Sequence, residues 1–157
     1  MITTVNHVRN PHFVLGKISP RHWEARFDPP ACEVHRRTQS SGESAGMVMV
    51  PQSPAPAFWW QPLRCKPEAH YRVEALVRCE LVPAGPSPGF VLVLEHDPPE
   101  SDEYVRLERP PIFDAPEPVA VRAYFHAPNW CSQVRIGVGV RNAVGLAEIH
   151  DVRFIRI

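Results

Sequence analysis

The chain lacks several features that would place it at once in a functional class. Only 8 of its 157 residues are glycine, and no phosphate-cradling glycine loop is present. No apolar run reaches the roughly 18 residues of a transmembrane helix, so we expect no membrane partner. The N-terminus shows no charged segment followed by an apolar stretch, and hence no signal peptide. We therefore expect a cytoplasmic protein, unless the chain is a domain excised from a secreted one.

The chain also has no excess of either charge, with 17 basic residues against 17 acidic ones. A protein that binds the phosphates of nucleic acid usually needs a basic excess, so we expect no nucleic-acid partner. Fifteen of the 17 basic residues are arginine. The planar guanidinium group favours forked contacts with carboxylates and contacts with aromatic faces, so these are the partners to look for.

Cysteine is scarce, and the 4 present lie far apart at Cys32, Cys65, Cys79 and Cys131. This spacing fits neither a disulfide scaffold nor the paired cysteines of a zinc knuckle. Cys65 and Cys79 alternate with apolar residues. We therefore expect reduced thiols that behave as small hydrophobic side chains.

Proline is abundant instead, at 19 residues, which disfavours long helices. The prolines separate segments with an apolar period of two, and they cluster at 51–56, 83–88, 98–99, 110–118 and 127–129. The pattern predicts one all-β domain over residues 1–157. We expect an antiparallel β-sandwich or jelly roll of about eight or nine strands.

Strict alternation makes Tyr71 to Val82 the clearest predicted strand, whereas Phe90 to Leu94 is apolar on both faces and is expected to be covered on both. The other predicted strands are Met47 to Val50, Phe58 to Cys65, Tyr104 to Glu108, Val119 to His126, Gln133 to Arg141 and Leu146 to Ile157. In the last strand the apolar phase shifts at His150-Asp151, which predicts a β-bulge there. Gly137 and Gly139 share one face and predict a shallow trough, filled by a ligand or by a packed neighbour.

Five segments follow one another in an order typical of a known fold. They are Asn10-Pro11-His12-Phe13, Trp23, Trp60-Gln61-Pro62-Leu63-Arg64-Cys65 with Lys66-Pro67, Tyr71 to Arg78, and His150-Asp151-Val152-Arg153-Phe154. Together they resemble the galactose-binding-like jelly roll of carbohydrate-binding modules of families 4, 9 and 22. The resemblance spans nearly the whole chain. It implies a non-catalytic accessory domain that recognises a poly- or oligosaccharide.

The resemblance also implies a structural calcium ion near the meeting of the first and last strands. Asp151 matches one position of the family's acidic pair. His150 stands at the other acidic position of the pair, and Val14 stands where a glutamate often follows the first motif. Asp151 is therefore the one candidate metal ligand.

Sugar recognition needs flat aromatic faces together with planar polar groups that bond to hydroxyls. The aromatic candidates are Trp59, Trp60, Tyr104, Tyr124 and Trp130, and the polar candidates are Arg72, Glu74, Arg78, Arg122 and Arg135. Because neighbours on a strand point to opposite sides, Trp59 and Trp60 lie on different faces, and at least one aromatic is expected in the core. Trp23 is expected in the core as well.

No motif assigns a catalytic residue, so we expect no enzyme. The acidic residues Glu95, Glu100, Asp102 and Glu103 fit a solvated loop better than a glycosidase pair. The alternative to sugar binding is a protein-interaction or structural β-sandwich of a larger assembly. In that case, a protein partner would contact the aromatic and arginine side chains, which are enriched in interface hot spots.

Overall fold

The computed structural model describes residues 5–13, 20–27, 32–37, 46–97 and 106–157, the side chains of 35–37 excepted. These residues form ten β-strands. The strands are β1 (Glu24–Arg26), β2 (Cys32–Arg37), β3 (Gly46–Pro51), β4 (Ala57–Arg64), β5 (His70–Pro83), β6 (Gly89–His96), β7 (Arg106–Glu108), β8 (Asp114–His126), β9 (Gln133–Arg141) and β10 (Ala143–Arg156). The described part of the chain contains no helix long and apolar enough to span a membrane.

The strands form two five-stranded antiparallel sheets. The first sheet has the order β1-β4-β9-β6-β7, and the second sheet has the order β2-β3-β10-β5-β8. Alternate residues of both sheets meet in one apolar core. The predicted antiparallel sandwich is confirmed.

The largest differences from the sequence prediction are at β1, β2, β8 and β10, and β10 begins at Ala143, three residues before the predicted Leu146. β1 and β2 were not predicted. For β1 the reason is that it has only three residues, all exposed, without an apolar alternation. β8 begins at Asp114, five residues before the predicted Val119, and runs through Pro116 and Pro118. An edge strand tolerates proline because one side of its backbone needs no hydrogen bond, and β8 is the edge of the second sheet.

The predicted bulge in the last strand is confirmed. β10 pairs with β5 along nearly its whole length, and the register shifts between Ile149 and Asp151. The shift lets Ile149 and Val152, three residues apart, both lie in the core with 0% exposure. His150 is the extra residue.

The N-terminal motif packs into the core through an aromatic stack. Phe13 and Trp23 are buried, with ring centroids 4.8 Å apart. The Trp23 Nε1–H donates to the carbonyl of Asn10 at 3.0 Å, and Asn10 Nδ2 donates to the carbonyl of Arg21 at 2.9 Å. The predicted core position of Trp23 is confirmed.

The four cysteines are buried as free thiols, and Cys65 and Cys79 lie in the core cluster as small apolar side chains. Burial raises the pKa of Cys32 and Cys79 to about 11, and burial together with the neighbouring Cys131 raises the pKa of Cys65 to about 12. An unfolded thiol titrates near 8.5, so above that pH the folded chain holds more protons than the unfolded chain.

We therefore expect the free energy of unfolding to fall as the pH rises from about 8.5 towards 11. The slope should reach about 1.4 kcal/mol per pH unit for each thiol that stays protonated only in the folded state. Urea unfolding in reducing buffer at pH 7.5 and 10 measures it. The Cys79→Ala variant should show a shallower slope than the wild type, and an unchanged slope would contradict the assignment.

Candidate functional site

The outward face of the first sheet carries most of the chemistry that the two sheets could offer a ligand. Trp59, Leu63 and Ile136 belong to the core cluster, so the residues that alternate with them point outward. We call this surface the aromatic face. Its members on β4, β9 and β6 are Phe58, Trp60, Pro62, Arg135, Gly137, Gly139 and Glu95.

An aromatic pair covers the glycines of β9 on this face. Trp60 lies opposite Gly137 and Phe58 opposite Gly139, and the two rings stack with centroids 5.8 Å apart. A methyl group on Gly137 would meet the Trp60 indole at 2.5 Å. The Arg135 guanidinium lies 4.2 Å from the indole centroid, which is a cation–π contact. The predicted trough is therefore filled by packed neighbours, the second of the two alternatives.

The two glycines differ in what limits their replacement. A Cβ at Gly139 would clash with the carbonyl oxygen of Ala57, which is backbone, whereas at Gly137 the obstacle is the Trp60 side chain. We expect Gly139→Ala to lower the free energy of unfolding by about 1–3 kcal/mol, and Gly137→Ala by less because an indole can turn. Urea unfolding of both variants measures the difference. An equal loss of unfolding free energy in the two variants would contradict this prediction.

A buried carboxylate fixes the arginines of the aromatic face. Glu95 is 2% exposed and binds Arg106 at 2.8 Å and Arg135 through both Nε and Nη2. Arg106 also contacts Glu108 at 2.9 Å, and Glu108 in turn binds Arg141. Burial acts to raise the pKa of Glu108, but the hydrogen bonds from Arg106 and Arg141 outweigh it and hold that pKa below its usual value. Charge-assisted bonds of this kind restrict the guanidinium groups to one geometry.

A cleft of about 330 Å³ adjoins the aromatic face at the end of β4. We call it the basic cleft, and its lining residues are His7, Arg9, His22, Gln61, Pro62, Leu63, Arg64 and Gln133. β1 pairs with β4 only at 58–60, so the edge of β4 beyond Trp60 faces the N-terminal segment instead of a strand. The cleft lies where β1 no longer covers that edge.

The other predicted arginines and glutamate lie on the opposite side of the sandwich. On β5, Arg72, Glu74 and Arg78 alternate with the buried residues. Arg122 is on the neighbouring strand β8, directly opposite Glu74. They bind one another or Glu148: Glu74 contacts Arg122 at 2.8 Å and Arg72 at 3.6 Å, and Arg78 binds Glu148 at 2.9 Å. These four residues are not brought together with Trp60 and Arg135.

The predicted aromatic residues are scattered as well. Trp59 is 4% exposed and packs in the core, with an edge contact to Phe27 at 5.4 Å, so the expectation that it is available on the surface is corrected. The alternation that brings Trp60 outward turns Trp59 inward. Tyr124 is 64% exposed on the outward face of β8. Trp130 is half-buried in the β8–β9 loop against His96, at 4.9 Å. Tyr104 lies outside the described residues.

The surroundings of Asp151 do not fit a calcium ion. Its Oδ2 accepts a hydrogen bond from Arg153 at 2.6 Å, and its Oδ1 lies 3.8 Å from Nδ1 of His12. Asp151 lines a second cleft, separate from the basic cleft, together with Arg72 and Arg153, so its cationic neighbours are arginines. Across the described ranges, no group of three or more histidine, cysteine, aspartate and glutamate side chains is placed to hold a metal. Calcium needs several converging oxygens, and these residues supply one carboxylate.

Sequence reasoning missed most of the residues around Trp60. Glu95 was assigned to a solvated acidic loop, but it is buried near the end of β6, on the outward face, opposite Arg135 of β9. Arg9 belongs to no motif, and Arg64 lies in the Trp60 to Cys65 segment but was not chosen as a site residue. The one available signal was the alternation of Phe58, Trp60, Pro62 and Arg64 on a single strand face.

Three solved structures have a similar fold. One is TmCBM61 in complex with β-1,4-galactotriose, at 20% identity and a TM-score of 0.61, covering 98% of this chain and 99% of that chain. Another is the CBM22-1 xylan-binding domain of Paenibacillus barcinonensis Xyn10C, at 12% identity and a TM-score of 0.61. The match covers 98% of this chain and 96% of that chain. The chain has the fold of these carbohydrate-binding modules.

The fold also occurs inside a larger protein. The enzymatically active domain of bacteriophage CBA120 tailspike protein 4 matches with a TM-score of 0.70 and 15% identity, over 97% of this chain but only 21% of that chain. No protein-family model matches the sequence, and neither does any curated protein. At these identities the likeness is one of fold, and the ligands named belong to those proteins.

Proposed function

We propose that the chain is a non-catalytic carbohydrate-binding module that takes a poly- or oligosaccharide on the aromatic face. The observation that carries this proposal is the stack of Phe58, Trp60 and Arg135 beside a buried carboxylate. Half-buried aromatic rings offer apolar contact to a sugar ring. The guanidinium of Arg135, held by Glu95, offers donors to hydroxyl groups in a fixed orientation, which lowers the entropy lost on binding.

The ion pairs of this face support a binding role over hydrolysis. A glycosidase needs a carboxylic acid that keeps its proton near neutral pH, which requires a raised pKa. Glu108 has the opposite property, because its two arginine partners hold its pKa low. The fold neighbours that are carbohydrate-binding modules support the same choice.

Affinity electrophoresis through gels containing different polysaccharides tests the proposal. We expect at least one glycan to retard the wild type, with a Kd on the order of micromolar to millimolar, and no release of reducing ends. Trp60→Ala should weaken this binding by about 30-fold or more, as the loss of a central aromatic contact of about 2 kcal/mol implies.

Tyr124→Ala is the matched control, because it removes an exposed aromatic ring from the other side of the sandwich. It should leave retardation unchanged. If Tyr124→Ala abolishes binding while Trp60→Ala does not, the ligand occupies the outward face of the second sheet. Circular dichroism of both variants shows whether the fold is retained.

The alternative function, a protein-interaction domain, draws support from the apolar side chains around β8. Leu76, Val82, Phe113, Val119 and Tyr124 are between 38% and 64% exposed. Exposed apolar groups of this kind can form an interface. If no glycan retards the chain, a self-association or partner screen with Val119→Asp and Tyr124→Asp variants becomes the deciding measurement.

A further inference from the structure

Among the described residues that line the basic cleft, the polar and cationic groups have no acidic neighbour. These groups are His7, Arg9, His22, Gln61, Arg64 and Gln133. Within the part of the chain that the structure describes, the side chains of Arg9 and Arg64 enter no ion pair. Elsewhere on the aromatic face each arginine has a carboxylate partner, as Arg106 and Arg135 have Glu95. The cleft is therefore a local excess of positive charge in a chain with none overall.

The main chain at Arg9 is held by a buried side chain. Gln61 is 2% exposed, and its Oε1 accepts a hydrogen bond from the Arg9 N–H at 2.7 Å while its Nε2 donates to the Arg9 carbonyl at 2.9 Å. A buried amide is costly unless both its polar groups are bonded. Both polar groups of the Gln61 amide bond to the main chain of Arg9. The amide therefore fixes the position from which the Arg9 side chain extends.

His22 is placed by a strained turn. Its φ is 73°, in the left-handed region that favours glycine, and the turn is closed by a hydrogen bond from Trp23 N–H to the carbonyl of Pro20. Asn10 Nδ2 ties the neighbouring Arg21 carbonyl to the core. A histidine at this position costs conformational energy that a glycine would not, and its side chain lines the cleft.

The cleft continues the aromatic face along one strand. Trp60, Pro62 and Arg64 point the same way on β4, so the Cα atoms of Trp60 and Arg64 are about 13 Å apart at 3.3 Å per residue. Arg135 lies opposite Pro62, between the two. An extended glycan in contact with Trp60 that follows β4 reaches the cleft.

We propose that the basic cleft binds an anionic substituent of the glycan, a carboxylate of a uronic acid or a sulfate ester, and that the module therefore recognises acidic polysaccharides. The proposal rests on the proposed function. Guanidinium groups bind both kinds of anion through paired hydrogen bonds. Arg9 and Arg64 supply the guanidinium groups, with His22 as a further donor.

Three polysaccharides separate the possibilities in affinity electrophoresis: polygalacturonate, a sulfated galactan and neutral β-1,4-galactan. We expect one or both acidic glycans to bind more tightly than the neutral one, with an affinity that falls as salt is added. Arg64→Gln and Arg9→Gln should each weaken acidic-glycan binding about tenfold and leave any galactan binding unchanged. Binding of polygalacturonate alone assigns the cleft to carboxylate, and binding of the sulfated galactan alone assigns it to sulfate.

Two further variants sharpen the result. His22→Gly suits the left-handed backbone, so it should keep or raise stability while it weakens acidic-glycan binding. Arg156→Gln removes an exposed arginine outside the cleft and should change nothing. An acidic glycan that binds all the cleft variants as tightly as the wild type would overturn the anion site.

Different results would contradict the anion site in the basic cleft and glycan binding on the aromatic face. Trp60-dependent binding of neutral galactan without acidic binding overturns the anion site and keeps the glycan module. If no polysaccharide is retarded, but sodium galacturonate shifts wild-type NMR resonances and not those of Arg64→Gln, the cleft stands as an anion site and the glycan module falls.

Discussion

An Arg106→Gln/Arg135→Gln variant, which removes two guanidinium groups that bind Glu95, is expected to lower the free energy of unfolding by about 3–5 kcal/mol. The side chain of Glu95 is 3% exposed, so water does not replace the hydrogen bonds that the two arginines donated. The penalty comes from the buried charge itself. Urea unfolding at neutral pH, with a check that the denaturant slope is unchanged, measures it.

A third substitution tests that reason. Adding Glu95→Gln to the double variant removes the charge and keeps the shape, so stability should recover in part. A less buried pair provides the control: Arg141→Gln leaves Glu108, which is 24% exposed, with its Arg106 contact, and should cost less than the double variant. A triple variant no more stable than the double would show that the buried charge is not the cause.

Trp23→Ala is expected to cost about 3–5 kcal/mol, the range for deleting a large buried aromatic side chain. The variant removes the stack on Phe13 and leaves the Asn10 carbonyl without its Nε1–H donor. Asn10 also holds the Arg21 carbonyl, so the turn that carries His22 should loosen. We therefore expect a loss of acidic-glycan binding as well as of stability.

Two variants divide the Trp23 effect into its parts. Trp23→Phe keeps a ring against Phe13 but loses the hydrogen bond, worth about 1 kcal/mol, and the part of the buried indole that a phenyl ring does not fill, so it should cost less than Trp23→Ala. Trp130→Ala removes an indole that is only half-buried in a loop and should cost less than Trp23→Ala. Equal costs for Trp130→Ala and Trp23→Ala would mean that the Phe13 stack and its hydrogen bond add nothing.

The sequence predicted those parts of the fold that depend on local alternation. Apolar residues two apart identify β5 and β9, and the break of phase between Ile149 and Val152 locates the bulge. Strand β1 was missed, because Glu24–Arg26 is held by pairing with Phe58 to Trp60 and has no core side chain of its own. Pairing across a distant part of the chain leaves no local pattern.

The candidate site could be predicted only in part for the same reason. Trp60 and Arg135 were found because each alternates outward on its own strand. Their partner Glu95 was missed because it follows a strand apolar on both faces and precedes further acidic residues, so its environment depends on the β6–β9 register. Arg9 reaches the cleft through Gln61, which is 52 residues away along the chain.

Pro116 and Pro118 in β8 have a consequence for how the molecule behaves in a crowded solution. The free backbone of an edge strand can template the addition of another chain, and β8 is 13 residues long. Proline has no N–H to offer an incoming strand, so the first half of β8 resists intermolecular sheet growth. Pro116 and Pro118 thus lower the tendency of this edge to associate with other chains into fibril-like sheets.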